Sequence, residues 1–253
     1  YMVTAGAPWN PLKFDPDGVR ETYAKYFLTL WNVYKFHADY AALDNFDPEI
    51  NSFPIEKRSE LDRWILSRVT SVAKKYHYQF KNWDFHKACR DLENFVINDL
   101  SNWYVRRSRR RLWDDSTSDD KKSCQHTLHE ILTIVCKLTA PVAPFMADEI
   151  YSNLTGSSVH LADWPTEENG ALPRQDLDLE AKMGLVRSLA ETGRRIRVKE
   201  KRRQRLPCNN GWIVGGPELN QFHEKRLNFY VLSFFQILNW LTYLKANLNP
   251  TFF

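Results

Sequence analysis

A mainly α-helical fold is predicted for this chain by three features. Apolar residues recur at i, i+3 and i+4 through several long runs. Glycine is sparse, 9 in 253 residues, which argues against a sandwich or a barrel. The most strand-like stretch is 211–216, Gly-Trp-Ile-Val-Gly-Gly, which adds a small α+β extension near the C-terminal end. The balance of 43% hydrophobic and 26% charged residues is that of a globular chain, and 253 residues suffice for one large domain or two modest ones.

The elements follow in order. Residues 1–18 are irregular, with Gly6, Pro8, Pro11, Pro16 and Gly18. Tyr1 follows no start methionine and no capping signal, so the chain is expected to be a piece from inside a larger protein. Asp15-Pro16-Asp17 marks a helix start, and a helix over 16–43 carries a wide apolar face of Val19, Tyr23, Tyr26, Phe27, Leu30, Trp31 and Tyr34. A turn-rich linker over 44–54 leads to a helix over 59–80, with Leu61, Trp64, Ile65, Val69, Val72 and Tyr76 at helical spacing. Asp84 is placed to cap a helix over 85–113. A hydrophilic loop separates it from a helix over 121–138, whose apolar face holds Cys124, Leu128, Ile131, Leu132, Val135 and Leu138. Pro141 and Pro144 break that helix. A short one over 145–154 ends near Gly156, and 157–165 reads as extended. A helix over 177–205 ends in a basic run before Pro207, and an amphipathic helix is expected over 218–244.

The stretch 99–113, Asp-Leu-Ser-Asn-Trp-Tyr-Val-Arg-Arg-Ser-Arg-Arg-Arg-Leu-Trp, organises the rest. Stepping about 100° per residue from Leu92 puts Phe85, Ala88, Phe95, Val96, Asp99 and Trp103 within about 60° of it, and Arg106, Arg107 and Arg110 too. One face therefore turns from apolar to arginine-rich, as in a helix that leaves its bundle to meet an anionic partner. Asp99 lies on the apolar stripe and needs a partner if buried.

Charge distribution narrows the partner. The stretch 194–205 holds eight cations and one Glu, and without it the chain has 27 cations against 30 acids. A mildly acidic body with concentrated basic zones suggests a local polyanion site. Arg106, Arg107, Arg109, Arg110 and Arg111 are all arginine, which suits bidentate phosphate contacts. They follow Trp103 and Tyr104, aromatics of the kind that stack on unpaired bases. A solvated helix end and a basic linker would also account for the two runs.

Other chemistries lack their residues. Histidines 126 and 129 with Glu130 stand in the wrong order for a His-Glu-x-x-His zinc helix and read as polar surface. There is no phosphate-binding loop, no nucleophile elbow and no Glu-x-x-His pair of a di-iron bundle. No catalytic or metal residues are assigned. Cys89, Cys124, Cys136 and Cys208 are far apart and fit a reducing cytosol. The run 229–244 is too short and too polar to span a bilayer, so no membrane partner is expected.

The segment Ala7-Pro8-Trp9-Asn10-Pro11-Leu12-Lys13-Phe14 resembles the stretch after the Lys-Met-Ser-Lys-Ser signature of class I isoleucyl-tRNA synthetases. Leu30-Trp31-Asn32-Val33-Tyr34-Lys35-Phe36 is similar to that family's Leu-Trp-Asn-x-Tyr-x-Phe helix. Leu61-Asp62-Arg63-Trp64-Ile65-Leu66-Ser67-Arg68 resembles the opening of its anticodon-binding bundle. The stretch 99–112 is similar to the eukaryote-like branch, 138–151 resembles a later helix of the bundle, and Ser158-Val159-His160-Leu161 fits the same alignment. Valyl and leucyl enzymes share the bundle, and Asn-Trp-Tyr-Val-Arg-Arg favours isoleucyl over the equivalent valyl region. Residues 220–253 match only loosely. Neither His-x-Gly-His nor Lys-Met-Ser-Lys-Ser occurs, so this piece is expected not to activate isoleucine.

The resemblance implies an anticodon-binding helical bundle over 55–190, after a connector from the catalytic domain over 1–54 that includes a long helix. The basic helix end, short strand and amphipathic helix fill 191–253. It implies a cytoplasmic isoleucine–tRNA ligase that uses ATP and Mg when complete, with no cofactor in this piece. The partners implied are isoleucine tRNA and the remainder of the synthetase chain. The RNA contacts expected are Trp103, Arg106, Arg107, Arg109, Arg110, Arg111, Arg194, Arg195, Arg197, Lys199, Lys201, Arg202, Arg203 and Arg205. A different reading is a non-catalytic helical protein-interaction module, monomeric or weakly self-associating through 218–253.

Overall fold

The computed structural model describes residues 9–11, 13–48, 53–113 and 118–203. Among these residues lie six helices, two short 3-10 turns and no strand. The strand expected over 211–216 and the helix over 218–244 lie outside the described residues. The chain divides into two units, Tyr1–Glu180 and Ala181–Phe253.

Helix α1 comprises Pro16–Thr22, a π-helical turn at Tyr23–Phe27 and Leu28–Leu43. Its start is set by local chemistry: Pro16 takes the first position, and the Asp15 carboxylate accepts from the N–H groups of Asp17 and Gly18 at 3.1 and 3.2 Å. Tyr26, Leu30, Val33 and His37 are buried, whereas Val19, Tyr23 and Trp31 stay exposed. Only part of the wide apolar face is therefore covered.

Helix α2, Glu60–Lys81, is capped by Ser59, whose hydroxyl accepts from the Asp62 N–H at 3.2 Å. It buries the predicted stripe from Leu61 to Tyr76. Helix α3 joins Phe85–Asn94, a π-helical stretch Phe95–Val105 and Arg106–Trp113. Asp84 stands at its start without a side-chain capping bond, and its carboxylate takes Lys87 at 2.9 Å instead. Helix α4, Asp119–Thr139, is capped by Ser118, and the whole predicted face from Cys124 to Leu138 is buried. Helix α5, Pro144–Thr155, closes on Gly156 at φ 73°, the left-handed position where a residue without Cβ is favoured. The segment expected to be extended contains a 3-10 turn at Val159–Leu161, because the Asp148 carboxylate gathers the Ser158 hydroxyl at 2.6 Å and the Val159 N–H at 2.9 Å.

Helix α2 packs against α3 and α4, α4 packs against α5, and α1 lies on the π-helical part of α3 and on α4. Polar ties fix these contacts. The Tyr26 and Thr139 hydroxyls meet at 2.6 Å. Lys121 reaches Asp44 at 2.8 Å. Arg58, just after the 3-10 turn Ile55–Lys57, grips Glu130 at 3.0 and 2.6 Å while donating to the Phe53 carbonyl. His126 is not a surface residue. It is buried with its ring edge-on to Phe46, 4.9 Å between centroids, beside buried His37 and partly buried His129. Burial, reinforced by His129 and His126, pushes the His37 imidazole down to about 3. Cys89, Cys124 and Cys136 are buried free thiols, and burial is the chief cause that raises the last two to about 12.

Helix α6 is Leu177–Lys199, shorter than the predicted 177–205. Asp176 caps it, its carboxylate accepting from the Leu179 N–H at 3.0 Å. Within the first unit, Ser67 donates to Glu180 at 2.6 Å. In the second unit the helix closes where Lys201 enters the left-handed region at φ 50° and the Arg202 N–H reaches the Arg197 carbonyl at 2.8 Å. Continued helix would stack Arg195, Lys199, Arg202 and Arg203 at i, i+3 and i+4, where like charges repel.

Candidate nucleic-acid interface

The register of α3 decides which arginines face outward. A π turn closes i→i+5 and takes up more residues than an α turn. Through the 11 residues of Phe95–Val105 the buried face therefore falls behind a 100° step. Phe95, Val96, Asp99, Leu100, Trp103, Tyr104 and Val105 are buried, and beyond them Ser108 and Leu112 continue the core at 0% and 1% exposure. The expectation of a helix leaving its bundle is corrected: Arg106–Trp113 stays packed against α4.

The arginines separate accordingly. Arg106, Arg109 and Arg110 are exposed, and among the described residues none of them makes an ion pair. Arg107 is half-buried and lies over the Trp103 ring, its guanidinium carbon 3.2 Å from the centroid, while donating to the Trp103 carbonyl at 3.2 Å. Trp103 is 6% exposed, so the ring offered from sequence for base stacking is enclosed. Tyr104 is fully buried and donates to Asp62 at 2.6 Å.

Arg111 turns inward. It donates to the two Asp62 oxygens at 2.8 and 2.7 Å and to Asp120 at 2.8 Å, and its side chain is 7% exposed. Asp62 also accepts from Ser59 at 2.8 Å and Ser123 at 2.7 Å. Burial alone would raise its carboxyl, but the hydrogen bonds and charge of Arg111, with Tyr104 and Ser123, outweigh burial and hold it below the usual carboxylate range. Asp99, also buried, takes Arg68 of α2 at 3.0 Å.

The second basic run lies in the second unit. Arg194, Arg195 and Lys199 on the helix and Lys201, Arg202 and Arg203 after it are exposed. Arg197 is half-buried, donating to the Arg203 carbonyl at 3.4 Å. Arg205 lies outside the described residues, as does the self-association surface expected over 218–253.

Among the described residues no group of three or more His, Cys, Asp or Glu side chains is placed to hold a metal ion, and no helix is long and apolar enough to cross a membrane. The residue that composition alone does not single out is Trp113. Its signal is spacing: it stands three residues after Arg110 and seven after Arg106.

A family model, the anticodon-binding domain of tRNA ligase, matches residues 62–210. The isoleucine–tRNA ligase of Porphyromonas gingivalis is 43% identical over 210 residues, covering 81% of this chain and 18% of its own length. That of Bacteroides fragilis is 41% identical over 240 residues, covering 92% of this chain and 21% of its own. That of Pyrococcus furiosus is 40% identical over 235 residues, covering 90% and 22%. The chain thus spans about a fifth of the length of these curated relatives.

Proposed function

The chain belongs to the anticodon-binding domains of tRNA ligases, as an isoleucyl-tRNA synthetase region, and from this premise we propose that it holds the anticodon stem and loop of isoleucine tRNA. The observation that supports the reading is the outward face of α3. Arg106, Arg109 and Arg110 stand exposed on one helical face with no acid among the described residues paired to them. Guanidinium groups so placed can each take a phosphate through two parallel hydrogen bonds. Arg194, Arg195, Arg197, Lys199, Lys201, Arg202 and Arg203, with Arg205, supply further cations for the same polyanion. Arg107 and Arg111 serve the fold in this reading, one over an indole and the other inside the bundle.

We retain the functional division into a connector over 1–54, a tRNA-binding bundle over 55–190 and a basic extension over 191–253. In a complete ligase, joining isoleucine to tRNA with ATP and Mg would fall to other segments, since this chain carries neither signature motif of that chemistry. A cytoplasmic setting follows from the same reading.

The test is titration of the 253-residue chain with an isoleucine tRNA transcript across a range of salt. Log affinity should fall steeply against log salt, and Arg106→Ala, Arg109→Ala and Arg110→Ala together should make the slope shallower by about 2 to 3. Affinity indifferent to salt, or to the triple substitution, would overturn it.

A further inference from the structure

The geometry points to Trp113 as the base-stacking side chain of this interface, in place of the enclosed Trp103. The inference rests on the tRNA-binding reading and deepens it. Arg106, Arg109, Arg110 and Trp113 stand at i, i+3, i+4 and i+7 of one helix, and all four are exposed. Steps of about 100° keep the last three within about 60° of Arg106, so they share one face. The stripe is about 10 Å long, roughly the rise of three stacked nucleotides. It presents three guanidinium groups and then one indole.

Three observations set Trp113 apart. First, the ring is 58% exposed although it directly follows Leu112, which is buried at 1%. The helix buries its apolar residue and turns the larger, more costly one outward. Second, the other aromatics beside the arginines are sealed: Trp103 lies under Arg107, and the Tyr104 hydroxyl is held by Asp62. Third, Trp83, exposed at 75%, precedes the opposite end of α3, roughly 40 Å away along the helix, with Phe85 against it. Trp113 is therefore the indole that a strand held by the Arg106, Arg109 and Arg110 stripe would meet. Every base has a π-face, and a stacking platform beside phosphate clamps binds unpaired bases with little sequence preference. The ligand is an unpaired nucleotide of an RNA loop, not a paired stem, whose bases are stacked on one another.

The experiment compares three RNAs with the 253-residue chain: an isoleucine tRNA transcript, its anticodon hairpin, and a fully paired RNA of similar length. Trp113→Ala should weaken the two looped RNAs about fivefold or more and leave the paired RNA within about twofold. The salt slope should not change, because no phosphate contact is removed. Trp113→Phe should restore most of the affinity, Trp113→Leu should not, and Trp83→Ala should have no effect. Far-ultraviolet circular dichroism confirms that each variant is folded. Equal binding of the looped RNAs by the parent and Trp113→Ala overturns the inference, as does an equal loss on paired RNA. If Trp113→Ala is silent while the triple arginine variant still loses affinity and slope, only the stacking role falls. If the parent itself binds no looped RNA, the tRNA reading falls, and the stacking role falls with it.

Discussion

Arg111 and Asp62 form a two-pronged ion pair, 2.8 and 2.7 Å, between the end of α3 and the start of α2. Asp62 has no solvent exposure and accepts from five side-chain donors: two Arg111 nitrogens and the hydroxyls of Ser59, Tyr104 and Ser123. An arginine from a run that looks like a phosphate clamp is thus a core residue.

Removing Arg111 alone strands a buried carboxylate. Arg111→Ala should cost about 3–5 kcal/mol of stability in urea unfolding, whereas Arg111→Met with Asp62→Leu should recover most of that loss. Tm should follow the same order. If the single variant unfolds at the parent's urea concentration, the pair does not hold the two helices together.

Trp103 and Trp113 should differ in kind. Trp103→Ala opens a cavity and removes the platform under Arg107, so it should cost about 3–5 kcal/mol. Trp113→Ala, at an exposed ring, should leave the free energy of urea unfolding within about 0.5 kcal/mol of the parent. Equal losses would mean that Trp113 belongs to the core.

Acid should destabilise the first unit before its carboxylates titrate. His37 is held neutral in the folded chain, its imidazole pushed down to about 3. The unfolded chain takes the proton near 6.5. Between about pH 6.5 and 3 the unfolded state binds more protons, so stability rises with pH there and falls on acidification, by up to about 5 kcal/mol in all. His37→Phe should flatten that slope. Asp62 acts later: its lowered folded value contributes stability that is present above about pH 4 and lost as pH falls through the folded value. Urea unfolding at pH 7, 5.5 and 4.5 separates the two. A parent and a His37→Phe variant with parallel slopes would show that His37 is not the group responsible.

Much of the fold was legible in the chain because its determinants are local. Helix limits follow from neighbours: Pro16 and Asp15, Ser59, Ser118 and Gly156 act within a few residues of themselves. The core stripes of α2 and α4 follow from one uninterrupted 3.6-residue period. The family, too, could be read from motifs such as 99–112.

What composition and spacing determined about this protein was that its arginines lie in two runs, one on a long helix just after a Trp-Tyr pair. Only the tertiary structure decided which way each arginine faces. The π-helical register of Phe95–Val105 rotates all that follows, and no residue type marks that change of hydrogen bonding in advance. Asp62, 49 residues from Arg111, then draws one guanidinium inward, and Arg68 from α2 satisfies Asp99. A buried carboxylate is compensated by whichever cation the packing brings to it, and that choice spans helices distant in the chain. The exposed stripe of Arg106, Arg109, Arg110 and Trp113 is what that packing leaves facing water.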